Sequence, residues 1–181
     1  MKKKVGITGA VISFCAIIAF AIELTIKDIP QNTVTWILWT LLDGILLVAS
    51  LKAGNKRPWL PAGFTASAFL VTAVLLWKGV WQWGMVETVS VVGVGLSLLL
   101  WKKLGPKWAI VMGVAAMNIA GWPAIYDAYT NPDPLSWWMW LSVGIAAILT
   151  SIAAEKWSIE DRLFPVEAIF FNLIMFILVI R

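Results

Sequence analysis

Seven nearly unbroken apolar stretches divide the chain, at about 5–26, 33–51, 60–77, 79–101, 108–126, 135–154 and 163–180. Each is close to the roughly 20 residues that an α-helix needs to cross a bilayer, and the polar segments between them are short. The pattern predicts an all-α integral membrane protein of seven transmembrane helices. Merging 60–101 into fewer crossings would give a six-span chain. The run Trp77-Lys78-Gly79-Val80-Trp81-Gln82-Trp83-Gly84 argues against this, because Trp and Gly at that density mark an interfacial turn. The first stretch follows Lys2, Lys3 and Lys4 and contains Ala19-Phe20-Ala21, a motif also found at signal-peptide cleavage sites. Its apolar core exceeds the roughly 7–15 residues usual there, so it reads as a span.

Composition supports the same class. Apolar residues make up 61% of the 181 and charged residues 13%, and the mean hydropathy is +0.87, leaving too little polar surface to cover a water-soluble globule. The charges orient the chain. Lys2, Lys3, Lys4, Lys52, Lys56, Arg57, Lys102, Lys103, Lys107, Lys156 and Arg162 fall on one side of a seven-span topology, and Lys27, Lys78 and Arg181 on the other. The excess places the N-terminus in the cytoplasm and the C-terminus outside, in a multi-pass arrangement suited to a bacterial inner membrane. Most of the 13 tryptophans lie near span ends, where an amphipathic indole settles at the headgroups; Trp39, Trp122 and Trp140 lie deeper.

The order of short matches suggests an internal repeat. Trp36-Ile37-Leu38-Trp39 and Trp137-Trp138-Met139-Trp140 are offset by 101, as are Ile18-Ala19 and Ile119-Ala120, while Leu60-Pro61 and Phe164-Pro165 are offset by 104. These pair spans one to three with five to seven and leave span four unmatched. The expected organisation is a first triple-helix bundle at 1–78, a linker transmembrane helix at 79–103 and a second bundle at 104–181. The single linker gives both bundles the same orientation in the bilayer.

Residues in both halves carry a resemblance to the SWEET and SemiSWEET sugar facilitators, the PQ-loop proteins and the PnuC vitamin-precursor transporters. Gly113-Val114-Ala115-Ala116, Gly121-Trp122-Pro123-Ala124, Leu135-Ser136-Trp137 and Phe164-Pro165 through Asn172 look like one triple-helix unit of that group. Ala124 stands where its Pro-Gln hinge has glutamine, and the first copy has Ile22-Glu23 at that place. Trp36, Trp39 and Asp43 follow a W-x-x-W-x-x-x-D spacing that resembles PnuC proteins, in which aromatic residues line the substrate site. The resemblance implies transport of a small polar solute such as a vitamin precursor, nucleoside or sugar, with a linker helix packed outside the transport path.

Candidate site residues also follow from depth. An ionised Asp at a span centre costs about 2.5–3.5 kcal/mol on insertion scales, so Asp43, at the middle of 33–51, should face a cavity or a partner. Trp39 and Trp36 lie four and seven residues before it on one helical stripe, and an indole face beside a carboxylate suits a flat, polar or cationic ligand. A packing role, with Asp43 hydrogen-bonded to a neighbouring Ser or Thr, is the alternative. Asn118 and Asn172 sit at similar depth as either substrate ligands or interhelical glue. Trp122 lies one turn from Asn118, and Trp140 is added as an inner aromatic. Pro123 is expected either to hinge span five or to mark its early end. Glu23, Asp127 and Glu167 are expected nearer the interfaces.

The sequence argues against other classes. It contains no histidine and one cysteine, Cys15, and it has neither clustered carboxylates for acid–base work nor a phosphate-gripping Gly loop, so no enzyme, metal site or cofactor is expected. Span seven has no lysine for a retinal Schiff base, and no aromatic-interleaved basic stripe suggests nucleic acid. The expectation is a facilitator or ion-coupled carrier whose partners are a small molecule and the lipid bilayer. A non-transporting receptor or assembly protein is the alternative, and a homo-oligomer is left open.

Overall fold

A computed structural model describes residues 2–52, 54 and 58–181, with the side chains of 100–107, 109 and 160 outside the description. Among the expected interfacial residues, Lys56, Arg57, Trp101, Lys102, Lys103 and Lys107 therefore lie outside the described side chains. The described residues form helices and no strand: α1 (Lys2–Ile26), α2 (Thr33–Lys52), α3 (Trp59–Trp77), α4 (Met85–Ala120), α5 (Trp122–Thr130), a 3-10 turn (Pro134–Ser136), α6 (Trp137–Ala153) and α7 (Ile159–Ile180). Five segments, in α1, α2, α3, the 3-10 turn with α6, and α7, are long and apolar enough to cross a membrane, and Met85–Leu99 is a shorter apolar helix.

The burial pattern is that of a protein whose outside is as apolar as its inside. Val11, Ile22, Phe69, Leu141, Ile145, Ile148, Phe170 and Ile174 are exposed along helix flanks, while Ser13, Thr35, Asp43, Ser67, Ser90 and Asn172 are buried. Exposed apolar side chains at this density suit contact with acyl chains, and the polar groups turn inward where backbone and side-chain partners exist. Ser67 Oγ, for example, donates to Gly63 O on its own helix at 2.8 Å, and Thr40 and Thr72 hydroxyls meet at 3.0 Å between α2 and α3.

Span boundaries differ from the apolar runs where capping chemistry intervenes. The fourth helix begins at Met85, not Gly79: the turn holds Gly79 at φ +69, and Gly84 N donates to Glu87 Oε2 at 2.8 Å in a capping box. The helical backbone of α4 then runs 36 residues to Ala120, yet it is not a straight rod. A Cβ on Gly93 would meet Ile119 Cγ2 at 2.8 Å, although a straight helix would separate these positions by about 39 Å. Helix α4 therefore folds back, bringing its Gly93 region against Ile119. Gly121 separates the second limb from α5. At the other end of the chain α7 starts at Ile159, four residues before the apolar run.

Helix α3 packs against both α1 and α2, and α7 packs against α6, α4 and α5; α1 also packs along α6, and α2 along α4. Small residues permit the close α1–α6 approach: a Cβ on Gly9 would sit 2.7 Å from Ala146 O and from Thr150 Oγ1, and one on Gly6 3.1 Å from Ala153 Cβ. On α4, Gly113 receives the side chain of Leu46 in the same manner.

Polar contacts sort to the two ends. At one, Lys2 Nζ donates to Ala154 O at 3.4 Å, bringing the start of α1 to the α6–α7 connection, where the Arg162 guanidinium lies 3.6 Å over Trp157. At the other, Lys78 Nζ donates to Leu24 O (2.8 Å) and Lys27 O (3.1 Å), satisfying carbonyls at the C-terminus of α1, and pairs with Asp28 at 2.8 Å. That contact and the Lys78 charge hold the exposed Asp28 carboxyl below its ordinary value of 3.8. The Arg181 guanidinium binds Tyr129 O at this end too.

Candidate functional site

The two groups of helices meet around an internal cavity with about 50 Å³ open to water-sized bodies, enough for roughly three to five waters. Helix α2 contributes Trp36, Trp39 and Asp43 from one stripe, because positions three, four and seven apart share a face. Helix α6 contributes Met139, Trp140 and Val143, and α7 contributes Phe164, Glu167, Ala168, Phe171 and Asn172 at the same spacing. Ile17, Phe64, Ala68 and Met117 complete the wall.

Aromatic rings form one side. Trp39 meets Phe171 edge-on at 5.2 Å between centroids and Trp36 at 5.3 Å, while Trp36 and Trp140 stack at 6.5 Å with planes 29° apart. The indole N–H groups are used differently. Trp39 donates to Met117 O at 3.2 Å and Trp36 to Gln31 Oε1 at 3.0 Å, but Trp140 Nε1 is buried without an acceptor. Asn172 Nδ2 donates to Ala168 O at 2.7 Å, leaving Oδ1 buried and unpartnered, and Asp43 Oδ1 is in the same condition. Three lining residues, each at most 5% exposed, thus carry an unsatisfied polar atom on one cavity. Buried polar atoms normally have partners, and leaving one without costs about 1–3 kcal/mol, so these three atoms are the energetically demanding points of the cavity wall.

Two further cavities adjoin this one. Trp140 also lines a space of about 100 Å³ at the Asn32 end, bounded by Gln82, Asp127, Asn131 and Asp133. There Asn32 Nδ2 donates to Glu87 Oε1 (2.9 Å) and Asp127 Oδ2 (3.1 Å), and Gln82 Nε2 donates to Asp127 Oδ2 at 2.6 Å. Phe164 also lines a third space of about 30 Å³ at the Lys2 end, and its ring meets Phe64 at 5.8 Å, T-shaped. The central space thus shares Trp140 with the space at the Asn32 end and Phe164 with the space at the Lys2 end.

No protein-family model, curated protein or solved structure matches the chain.

The roles of individual residues accordingly rest on where the fold places them. Trp36, Trp39, Asp43, Trp140 and Asn172, expected at a substrate site, come together on the central cavity. Asn118 and Trp122 do not line it. The Asn118 amide donates to Val114 O on its own helix at 2.9 Å, and Trp122 is half exposed. Pro123 is buried in the first turn of α5, two residues past the break at Gly121, where a Cβ would collide with Phe171 at 2.4 Å and approach Trp39 at 3.2 Å. Glu167 is the lining residue that sequence reasoning put at an interface; the earlier start of α7 carries it two turns into the helix. Its spacing from Phe164, Ala168 and Phe171 is the signal that marks the shared face.

Proposed function

We propose that the chain is a seven-crossing transporter of a small polar solute, working by alternating access of two three-helix bundles, either as a facilitator or coupled to an ion. The observation that carries this is the central cavity: unpartnered Asp43, Trp140 and Asn172 atoms converge on one space walled by both bundles and bordered at each end by another space. Matching packing supports the repeat. Helix α3 touches α1 and α2 as α7 touches the α4–α5 segment and α6, and the contacts α1–α6 and α2–α4 exchange when the bundles are exchanged. Asn32 caps α2 through Thr35 N at 3.1 Å, and Asp133, at an offset of 101, bonds Leu135 N at 3.0 Å. In this reading the α4 fold-back supplies the linker crossing and the first part of span five.

The reading places the Lys2 end of the bundle in the cytoplasm of a bacterial inner membrane and the Asn32 end outside. Cys15 is exposed on α1, away from both ends. In a Cys15→Ser background, a membrane-impermeant maleimide should label Trp81→Cys but not Lys3→Cys in intact cells, and the opposite pattern would reverse the topology. Transport itself is tested by uptake of sugars, nucleosides and vitamin precursors into proteoliposomes. Saturable uptake that Asn172→Ala abolishes is expected; a ligand that stabilises the protein yet is never taken up would favour a receptor.

A further inference from the structure

Resting on the reading of the central cavity as the substrate site, we infer that its substrate is a small organic cation, held between Asp43 and Glu167 and faced by the rings of Trp39 and Trp140. Carboxylates from two helices, Asp43 on α2 and Glu167 on α7, line the same cavity. Among the described residues, no Lys or Arg lines this cavity or the one at the Asn32 end.

The hydrogen-bonding capacity left to the wall points the same way. Asn172 lines the space with its nitrogen committed to Ala168 O, and since a carbonyl can only accept, that bond fixes the amide orientation and leaves Oδ1 as its free acceptor. The Trp36 and Trp39 N–H groups are already used, so those indoles offer faces and not donors. What remains free is two acceptor oxygens, on Asp43 and Asn172, against one donor, Trp140 Nε1. An ammonium or guanidinium supplies to these two carboxyl groups both a compensating charge and N–H donors, and aromatic faces attract it, whereas a neutral polyol supplies no charge. The outer space adds Asp127 and Asp133, the latter with a buried unpartnered Oδ2, and would draw cations from solution. The volume admits only a few non-hydrogen atoms without movement of the walls.

The test is calorimetry on the full-length protein in detergent at constant ionic strength, with methylammonium, guanidinium, ethanolamine and choline as chlorides, and with sodium chloride, glycerol and ribose as comparisons. Each binding cation is then followed by counterflow in proteoliposomes. At least one organic cation should bind, and Asp43→Asn and Glu167→Gln should each weaken it tenfold or more, about 1.4 kcal/mol. Glu167→Gln alone decides the matter if Asp43→Asn fails to fold. Binding of sodium alone, or of glycerol or ribose with no response to any organic cation, would overturn the cation assignment while leaving transport standing. Cation binding that survives both substitutions would overturn it as well. Organic-cation binding without counterflow would overturn transport and keep the assignment, and silence throughout would overturn both.

Discussion

Gly121 is the tightest point of the site. Its missing side chain leaves room for the Phe171 ring and, behind it, the Trp39 indole. Gly121→Ala should destabilise the folded protein by about 1–3 kcal/mol, since overpacking must move one of two large rings; a lowered midpoint of thermal unfolding in detergent checks it. At the surface, Asp28 supplies a pH dependence of definite sign. Its carboxyl is held below 3.8 by the Lys78 hydrogen bond and charge, so their contribution is complete above that value and is lost as pH falls through the depressed one. The unfolding midpoint of wild type should therefore exceed that of Asp28→Asn at neutral pH and low salt, with the gap closing below pH 3.8; the gap should be small, because the group is exposed and screened. Single residues were legible where chemistry was costly for their depth. Asp43 announced itself as a charge at mid-span, and the stripe to Trp39 and Trp36 followed from helical spacing. Asn118 was not placed by its residue type, because an amide can return its N–H to its own helix, here to Val114 O, instead of lining a cavity.

Helix ends were the less legible part of the fold. Apolar runs locate what a bilayer must cover, whereas helices start where local contacts allow: the fourth begins after Gly84, whose N–H the Glu87 carboxylate accepts, and α7 begins in polar sequence at Ile159, before Leu163. That offset of one turn decided whether Glu167 read as interfacial or as part of the cavity. The fold-back within α4 was not legible either: two apolar runs, 79–101 and 108–126, were expected as separate helices, and the helical backbone continues from Met85 to Ala120. Prolines were readable only in part: Pro61 lies in the first turn of α3 and Pro123 in the first turn of α5, but Pro165, expected with Phe164 to open the seventh helix, lies inside α7. Since the helix breaks at Gly121 and resumes at Trp122, Pro123→Ala should join the two segments into a stiffer rod. Turnover in proteoliposomes should fall more than ligand affinity; equal loss of both would remove the hinge role. Along α1, Gly9→Val should force α1 from α6 by colliding with Ala146 O, and loss of monodisperse protein on gel filtration is the expected readout.

At the scale of the molecule, the central space shares Trp140 with the space at the Asn32 end and Phe164, whose ring meets Phe64, with the space at the Lys2 end. Alternating access requires that these two boundaries never open together. Trp140→Ala and Phe164→Ala should each leave liposomes tight to small solutes, while the double variant should leak, measured as release of a trapped substrate in the absence of a gradient-driven cycle. The all-helical character could be read from hydropathy, because continuous apolar runs of about 20 residues suit helices, which satisfy their backbone within the segment, and lack the alternation of barrel strands. The adjoining cavities could not, since they depend on which faces of α2, α6 and α7 oppose one another.

Trp140 borders the central space, the outer space and a shallow cleft beside Gly144 and Leu173 on the α6–α7 surface. One rigid ring shared by three compartments cannot enlarge any of them without taking volume from another. A guest that moves the ring from the central space would therefore change the outer space and the cleft together, through displacement of a single side chain.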